Sequence, residues 1–219
     1  MTQNQNTSLQ AGGAPRPPEG IGQAWDARYA GDAFFYGQEP NDFLRESEPL
    51  LVRGARVLSL AEGEGRNAVF LAERGHRVVG VDASAVGLAK AQTLAAARGV
   101  HIETVVADLS AWQWTGEPLD GVVAIWCHLP VPLRAHVLNA AIAALRPGGL
   151  LILESYTPDQ VGRGTGGPPN PALLPTAALL REELRGLDVE HLVERERHVS
   201  EGAGHLGLSA VVQLRGRGR

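Results

Sequence analysis

Cysteine is nearly absent: Cys127 stands alone among 219 residues, so the chain can form no internal disulfide and no multi-cysteine zinc site. Long apolar runs are missing too. No stretch reaches the roughly 18 apolar residues that a membrane-spanning helix needs. Nor is there an excess of positive charge. The formal balance is −4 at pH 7, which gives no electrostatic drive toward nucleic acid or acidic lipid. The terminal RGRGR is basic but reads as a frayed tail. The opening MTQNQNTSLQAGGAPRPPEG lacks both the basic region and the apolar core of a secretory signal. Its Gln, Asn, Gly and Pro content implies a disordered segment over 1–20. These absences lead to the expectation of a cytoplasmic protein with one domain over 21–219. It should have no membrane or nucleic-acid partner, and should be a monomer or homodimer. His191, His198 and His205 have no metal-ligand spacing with any acid cluster, so no metal is expected.

What is there is alternation. RVLSL (56–60), HRVVGVD (76–82), IETVVAD (102–108), DGVVAIW (120–126) and LLILES (150–155) are short runs rich in Val, Leu and Ile. None alternates cleanly with polar residues, as expected for strands covered on both faces. Between them lie helical patterns over 66–74, over 85–98 with Ser84 as cap and Gly99 as stop, and over 131–145, closed by the turn RPGG. Strand and helix in turn predict an α/β fold with a doubly wound parallel sheet. The last third differs. GRGTGGPPNP (162–171) is a turn-rich loop, and TAALLREELRG is a short helix with Thr176 as N-cap. VEHLVERERHV and LGLSAVVQLRG, joined by SEGAGH, suit an antiparallel pair at the sheet edge.

Ligands of such sheets bind beyond the carboxyl ends of the strands, at the switch point. LSLAEGEGRNAVFLA (58–72) leaves the first strand there through a turn built on Gly63 and Gly65. Glu62, Asp82 and Asp108 end three successive strands, and Asp82 is placed to accept ribose hydroxyls. GEGRNA satisfies G-x-G-x-x-A, so a dinucleotide is one reading, with a nicotinamide-dependent oxidoreductase as its function. A pyrophosphate wants bare amides and positive potential, however, and Glu62 and Glu64 oppose it. A ligand that brings its own positive charge suits an acidic turn, and S-adenosylmethionine carries a sulfonium and an ammonium.

VLSLAEGEGRN, VVGVD, VVADL and LRPGGLLILES together resemble the motifs of class I S-adenosylmethionine-dependent methyltransferases, a likeness that runs from about Trp25 to the C-terminus. Within that class the closer resemblance is to the tellurite-resistance and thiopurine methyltransferase group, through WDARYAGDAFFYGQEPN (25–41). The resemblance implies a Rossmann-like, seven-stranded, mostly parallel sheet with an antiparallel C-terminal pair, and S-adenosyl-L-methionine as cofactor. It implies that Trp25, Tyr29 and Tyr36 close the site. Leu60 and Ala61 would lie against the methionine part, and Leu109 beside the adenine. Glu62, Gly63, Gly65, Asn67, Asp82, Ala83, Asp108 and Trp126 complete the expected cofactor set.

The fourth strand ends in IWCHLP, where Trp126, Cys127 and His128 are the first candidates for acceptor contacts. His128 is the candidate catalytic residue, able to orient an acceptor or take its proton. It stands where the thiopurine enzymes carry an arginine, which argues against an anionic, arginine-clamped substrate. Cys127 reads as a packed thiol, since methyl transfer needs no enzyme nucleophile. The Asn/Asp-Pro-Pro-aromatic motif of amino-methylating nucleic-acid enzymes is missing. The expected activity is methyl transfer to a small molecule, a soft thiol or chalcogen acceptor needing no strong base. A protein that binds the cofactor without catalysis is the other alternative. Arg163 and its loop read either as a lid over the acceptor or as ordinary surface.

Overall fold

The computed structural model describes residues 20–184 and 186–219, so the segment 1–20 expected to be disordered lies outside the described residues, Gly20 excepted. Among the described residues the α-helices are α1 (Ile21–Tyr29), α2 (Asp42–Ser47), α3 (Arg66–Glu73), α4 (Ala85–Ala97), α5 (Val131–Ala143) and α6 (Ala177–Glu183). The strands are β1 (Arg56–Leu60), β2 (Arg77–Asp82), β3 (Glu103–Val106), β4 (Leu119–Ile125), β5 (Leu145–Tyr156), β6 (Leu187–Glu201) and β7 (His205–Gly218). They form one sheet in the order β3-β2-β1-β4-β5-β7-β6. β1 to β5 pair in parallel, while β7 lies antiparallel between β5 and β6. This is the doubly wound, mostly parallel sheet with an antiparallel C-terminal pair that the sequence implies.

Each central strand divides its side chains between two cores. Leu58, Leu60, Val122 and Ala124 face the layer of α5 and α6, with Leu138 and Leu180. Val57, Val123 and Ile125 face α2, α3 and α4, with Phe43, Val69 and Leu94. Burial on both faces is why these strands lack polar alternation. The caps fall where hydroxyls were expected: Ser84 Oγ accepts from Gly87 N, and Thr176 Oγ1 accepts from Leu179 N. One boundary differs. RPGG reads as a turn before a strand at 150, yet β5 begins at Leu145 and carries those residues inside it. Its register with β4 jumps between Leu119 and Gly121, from a Leu145 partner to a Leu150 partner, and a bulge of this kind accommodates Pro147. No helix among the described residues is long and apolar enough to cross a membrane.

Candidate functional site

The chain winds outward from β1 to β3 and then returns to β4 on the other side, so the crevice between the β1 and β4 carboxyl ends is the switch point. Two non-glycine residues among those described have left-handed backbone, Ala61 (φ 52°) and Trp126 (φ 56°). Each directly follows one of these two strands. Such conformations cost of order 1–3 kcal/mol and concentrate at functional sites.

From Ala61 the turn passes through Gly63 (φ 62°) and Gly65 (φ 95°) into α3. The two glycines serve different ends. A Cβ at Gly63 would lie 2.8 Å from the Tyr29 hydroxyl, so this glycine admits the aromatic ring from α1. A Cβ at Gly65 would lie 2.5 Å from that of Ala91, so this one lets α4 approach the start of α3. Asp82 ties the turn down. Its Oδ2 accepts from Gly63 N at 2.8 Å and its Oδ1 from Ser84 N at 2.8 Å. With the Ala83 backbone as a third donor, the carboxylate still keeps a lone pair for a ligand. Burial raises the Asp82 carboxyl above its ordinary range, and nearby Asp26 adds to the effect.

The turn glutamates do not present two free charges. Glu62 is folded back beside Gly80, accepting from Ser59 Oγ and, at 2.9 Å, from Ala68 N. Burial pushes its carboxyl up to about 7 against those two hydrogen bonds. Glu64 Oε2 accepts from Tyr36 N at 3.2 Å, and its Oε1 lies 2.5 Å from Lys90 Nζ. That Oε1 is buried, and the Lys90 ammonium is its partner. The opposition to a pyrophosphate read from the sequence is therefore reduced in kind: Glu62 is turned away and Glu64 has a cationic neighbour.

The remaining candidates divide into those at the rim and those packed behind it. Leu60 and Leu109 are buried in the core beneath the crevice, with Ala61 packed on the same cluster. Ala83 lies half-buried between Asp82 and the cap Ser84. Asp108 Oδ1 accepts from Ser110 N at 2.8 Å in the loop after β3. Asn67 Oδ1 accepts from Asn41 N at 3.0 Å and so holds the segment before α2. Trp25, Tyr29 and Tyr36 do gather over the turn, with ring centres 5.6 Å apart for Trp25–Tyr29 and 6.2 Å for Tyr29–Tyr36.

On the β4 side, Trp126 stacks on Tyr156 at 4.3 Å, and His128 lies nearly parallel to Tyr156 at 5.6 Å. Burial pushes the His128 imidazole down to about 4, with Arg134 adding to it, and the ring is neutral at pH 7. Burial likewise raises the Cys127 thiol to about 12. The ring is bonded to the Trp126 backbone and its Nε2 meets Tyr156 N at 3.5 Å; as a proton acceptor near pH 7 it is weak. Gly167 lies against the Tyr156 ring and Gly166 against its hydroxyl, so the loop 162–171 roofs the aromatic group. Arg163 points away from it, to Glu196 at 2.6 Å.

Several residues here carry no motif. Tyr156 Oη and His205 Nδ1 lie 2.7 Å apart, and His205 stacks on Tyr36 at 4.5 Å. Glu201 accepts from Trp126 Nε1 at 2.6 Å and pairs with Arg66 at 2.5 Å. Asn41 Nδ2 bridges Glu154 (2.6 Å) and Glu201 (2.8 Å), and Arg197 contacts both acids. Tyr156 was open to discovery, since it ends β5 on the same rim. His205 was not, because β7 runs antiparallel and brings its first residue to that rim rather than its last.

Comparison with known proteins agrees with this arrangement. Residues 57–149 match a family model described as a methyltransferase domain. The chain is 31% identical over 121 residues to the tRNA 5-carboxymethoxyuridine methyltransferase of Escherichia coli K12, a match covering 46% of this chain and 40% of that one. It is 29% identical over 147 residues to the 2-heptyl-1-hydroxyquinolin-4(1H)-one methyltransferase of Mycobacteroides abscessus, covering 62% and 64%. The chain thus spans less than two thirds of either relative. Among solved structures, the N-methyltransferase NodS of Bradyrhizobium japonicum, in complex with S-adenosyl-L-homocysteine, superposes with a TM-score of 0.67 at 16% identity, covering 90% of this chain and 97% of that one. The stretch holding the glycine turn, Asp82 and Trp126 is therefore a match to a methyltransferase domain, and S-adenosyl-L-methionine is the cofactor that the match and these neighbours support.

Proposed function

We propose that the chain is an S-adenosylmethionine-dependent methyltransferase acting on a small-molecule acceptor. The observation that carries this reading is the crevice between β1 and β4, where a strained Ala61 and a strained Trp126 flank a glycine turn held by Asp82. Asp82 is the residue to hold the ribose, and Trp25, Tyr29 and Tyr36 the rings to exclude water from the sulfonium.

The bound cofactor supplies an activated methyl group. That methyl group would pass to an acceptor lone pair, with the carbon–sulfur electron pair returning to sulfur. The protein's part is alignment and exclusion of water. His128, neutral at pH 7, acts by positioning the acceptor. A soft acceptor that ionises without help fits such a site, in line with the resemblance of residues 25–41 to the tellurite-resistance and thiopurine group. The net charge of −4 favours a small molecule over tRNA, the acceptor class named for the Escherichia coli relative.

Titration calorimetry with S-adenosylmethionine and with NAD is the first test. Tight NAD binding and no methyl-donor binding would overturn the reading. Release of S-adenosylhomocysteine is then followed with thiols, selenite, tellurite, hydroxyquinolones and unmodified tRNA. Turnover with tRNA alone would replace the small-molecule acceptor, and cofactor binding without turnover would favour a non-catalytic binding protein.

A further inference from the structure

The chain holds one lysine, Lys90, and every other basic side chain of the Lys and Arg class is arginine. That lysine lies on α4, facing the end of α1. Its Nζ donates to the carbonyls of Tyr29 (3.3 Å), Gly31 (2.9 Å) and Ala33 (2.6 Å). It also lies 5.0 Å from the centre of the Phe34 ring. Three carbonyls converging on one point suit a compact ammonium with three protons; a planar guanidinium cannot meet them together. The same ammonium is 2.5 Å from Glu64 Oε1, and Glu64 in turn accepts from Tyr36 N. Lys90 and Glu64 thus grip the aromatic segment from both ends, one at the carbonyls that close α1 and one at Tyr36.

The far end of the segment is also held by the hairpin tip, where Ala203 N donates to Phe35 O at 2.9 Å and His205 stacks on Tyr36, but the α1 end is not. α1 is nine residues long, and only Gly22 and Tyr29 in it are buried. A helix so short is marginal by itself. Within α1 the polar anchor is Asp26, which accepts from Ser84 Oγ (2.6 Å) and Val86 N (3.1 Å) at the start of α4. Tyr29 meanwhile occupies the space over Gly63.

We propose that Lys90 is a positioning residue that clasps the segment 21–37 over the glycine turn, so that a ligand enters and leaves the turn only when this clasp opens. The existence of the clasp is independent of the ligand; its coupling to cofactor exchange rests on the proposed function.

The uniqueness of the lysine makes the test direct. In the full chain without ligand, acylation with a small amine-reactive ester, read by mass spectrometry, reports opening at a single internal site. Lys90 is expected to react at least about tenfold more slowly than a free lysine side chain, as a protected, charge-bonded group does. Reaction at the free rate overturns the clasp, whatever any variant does. Trypsin cleavage after Arg28 reports the same opening from the other side. Lys90→Met is expected to speed it by about tenfold, the loss of one or more charged hydrogen bonds, and Lys90→Arg to leave it fast. Cleavage of Lys90→Met at the wild-type rate also overturns the proposal. For the coupling, S-adenosylhomocysteine is expected to dissociate about tenfold faster from Lys90→Met. Equal dissociation overturns the coupling. A wild-type protein that binds no S-adenosylhomocysteine overturns the proposed function, and the cleavage and acylation results then judge the clasp alone.

Discussion

At the scale of single residues, the carboxylates of the rim have separate duties. Asp82 holds the turn through Gly63 N and Ser84 N, and so ties the loop after β1 to the loop after β2. Asp82→Ala is expected to weaken S-adenosylhomocysteine binding by ~1–3 kcal/mol, the range of a lost charged hydrogen bond, and calorimetry measures it directly. Unchanged affinity would remove Asp82 from the ribose site. Glu62 gives a different signature. Its folded pKa of about 7 lies above its unfolded value, so the native state keeps a proton that the unfolded chain has released. Its contribution is fully present below about pH 4.3 and is lost as pH rises to 7, amounting to about 3 kcal/mol. Urea unfolding from pH 5 to pH 8 is therefore expected to show Glu62→Gln gaining on the wild type as pH rises. A constant difference would contradict the inward, protonated carboxyl. The sequence offered Glu62 and Glu64 as two acids in a turn. It could not reveal that Gly80 makes room for one to fold back, or that the other meets Lys90 from the next helix.

At the scale of elements, strands covered on both faces were legible because their composition is dictated by two cores at once. β1 matches its predicted span residue for residue, and β2 and β4 lie within a residue of theirs. α2 was missed, since six residues are too few to display a helical period. The start of β5 was missed because RPGG in isolation specifies a turn, and only pairing with β4 keeps it in the sheet. The β6–β7 hairpin was read as an edge pair, but nothing in SEGAGH announces that its tip belongs to the site. Gly202 and Gly204 there admit the backbone of Phe35 and the ring of Tyr36, and Leu206 N donates to Thr165 O. The tip therefore joins the aromatic segment to the loop over Tyr156. Gly204→Val is expected to displace Tyr36 and Phe35, quickening S-adenosylhomocysteine release by about tenfold while the far-UV circular dichroism stays unchanged. Release at the wild-type rate would show that the tip does not support the cover.

At the scale of the whole molecule, one buried charged network connects the parts. Burial alone would raise Glu201, but Arg66, the Trp126 hydrogen bond and Arg197 hold it down to about 2. Its contribution is present above the ordinary glutamate range and is lost as pH falls toward 2, the opposite window from that of Glu62. Glu201→Ala leaves Arg66 buried without its carboxylate, and is expected to cost about 3–5 kcal/mol in urea unfolding at pH 7. A loss under about 1 kcal/mol would mean that the pair is solvated like a surface bridge. None of this network could be found by motif. Asn41, Arg66 and Glu154 come from three separate stretches of chain, Arg197 and Glu201 from a fourth, β6, and only the finished sheet brings them together.

That network sets a rule for recombination. The hairpin tip and the glycine turn are far apart in sequence and look like independent modules, one to be exchanged for new acceptors and the other kept for the cofactor. Arg66 directly follows the turn, and its carboxylate partner belongs to the hairpin. A graft that imports another hairpin without an acid at position 201 strands a cation beneath the turn, and the damage would register as lost cofactor affinity. Chimeras of this chain must carry Asn41, Arg66 and Glu201 as a single inherited unit.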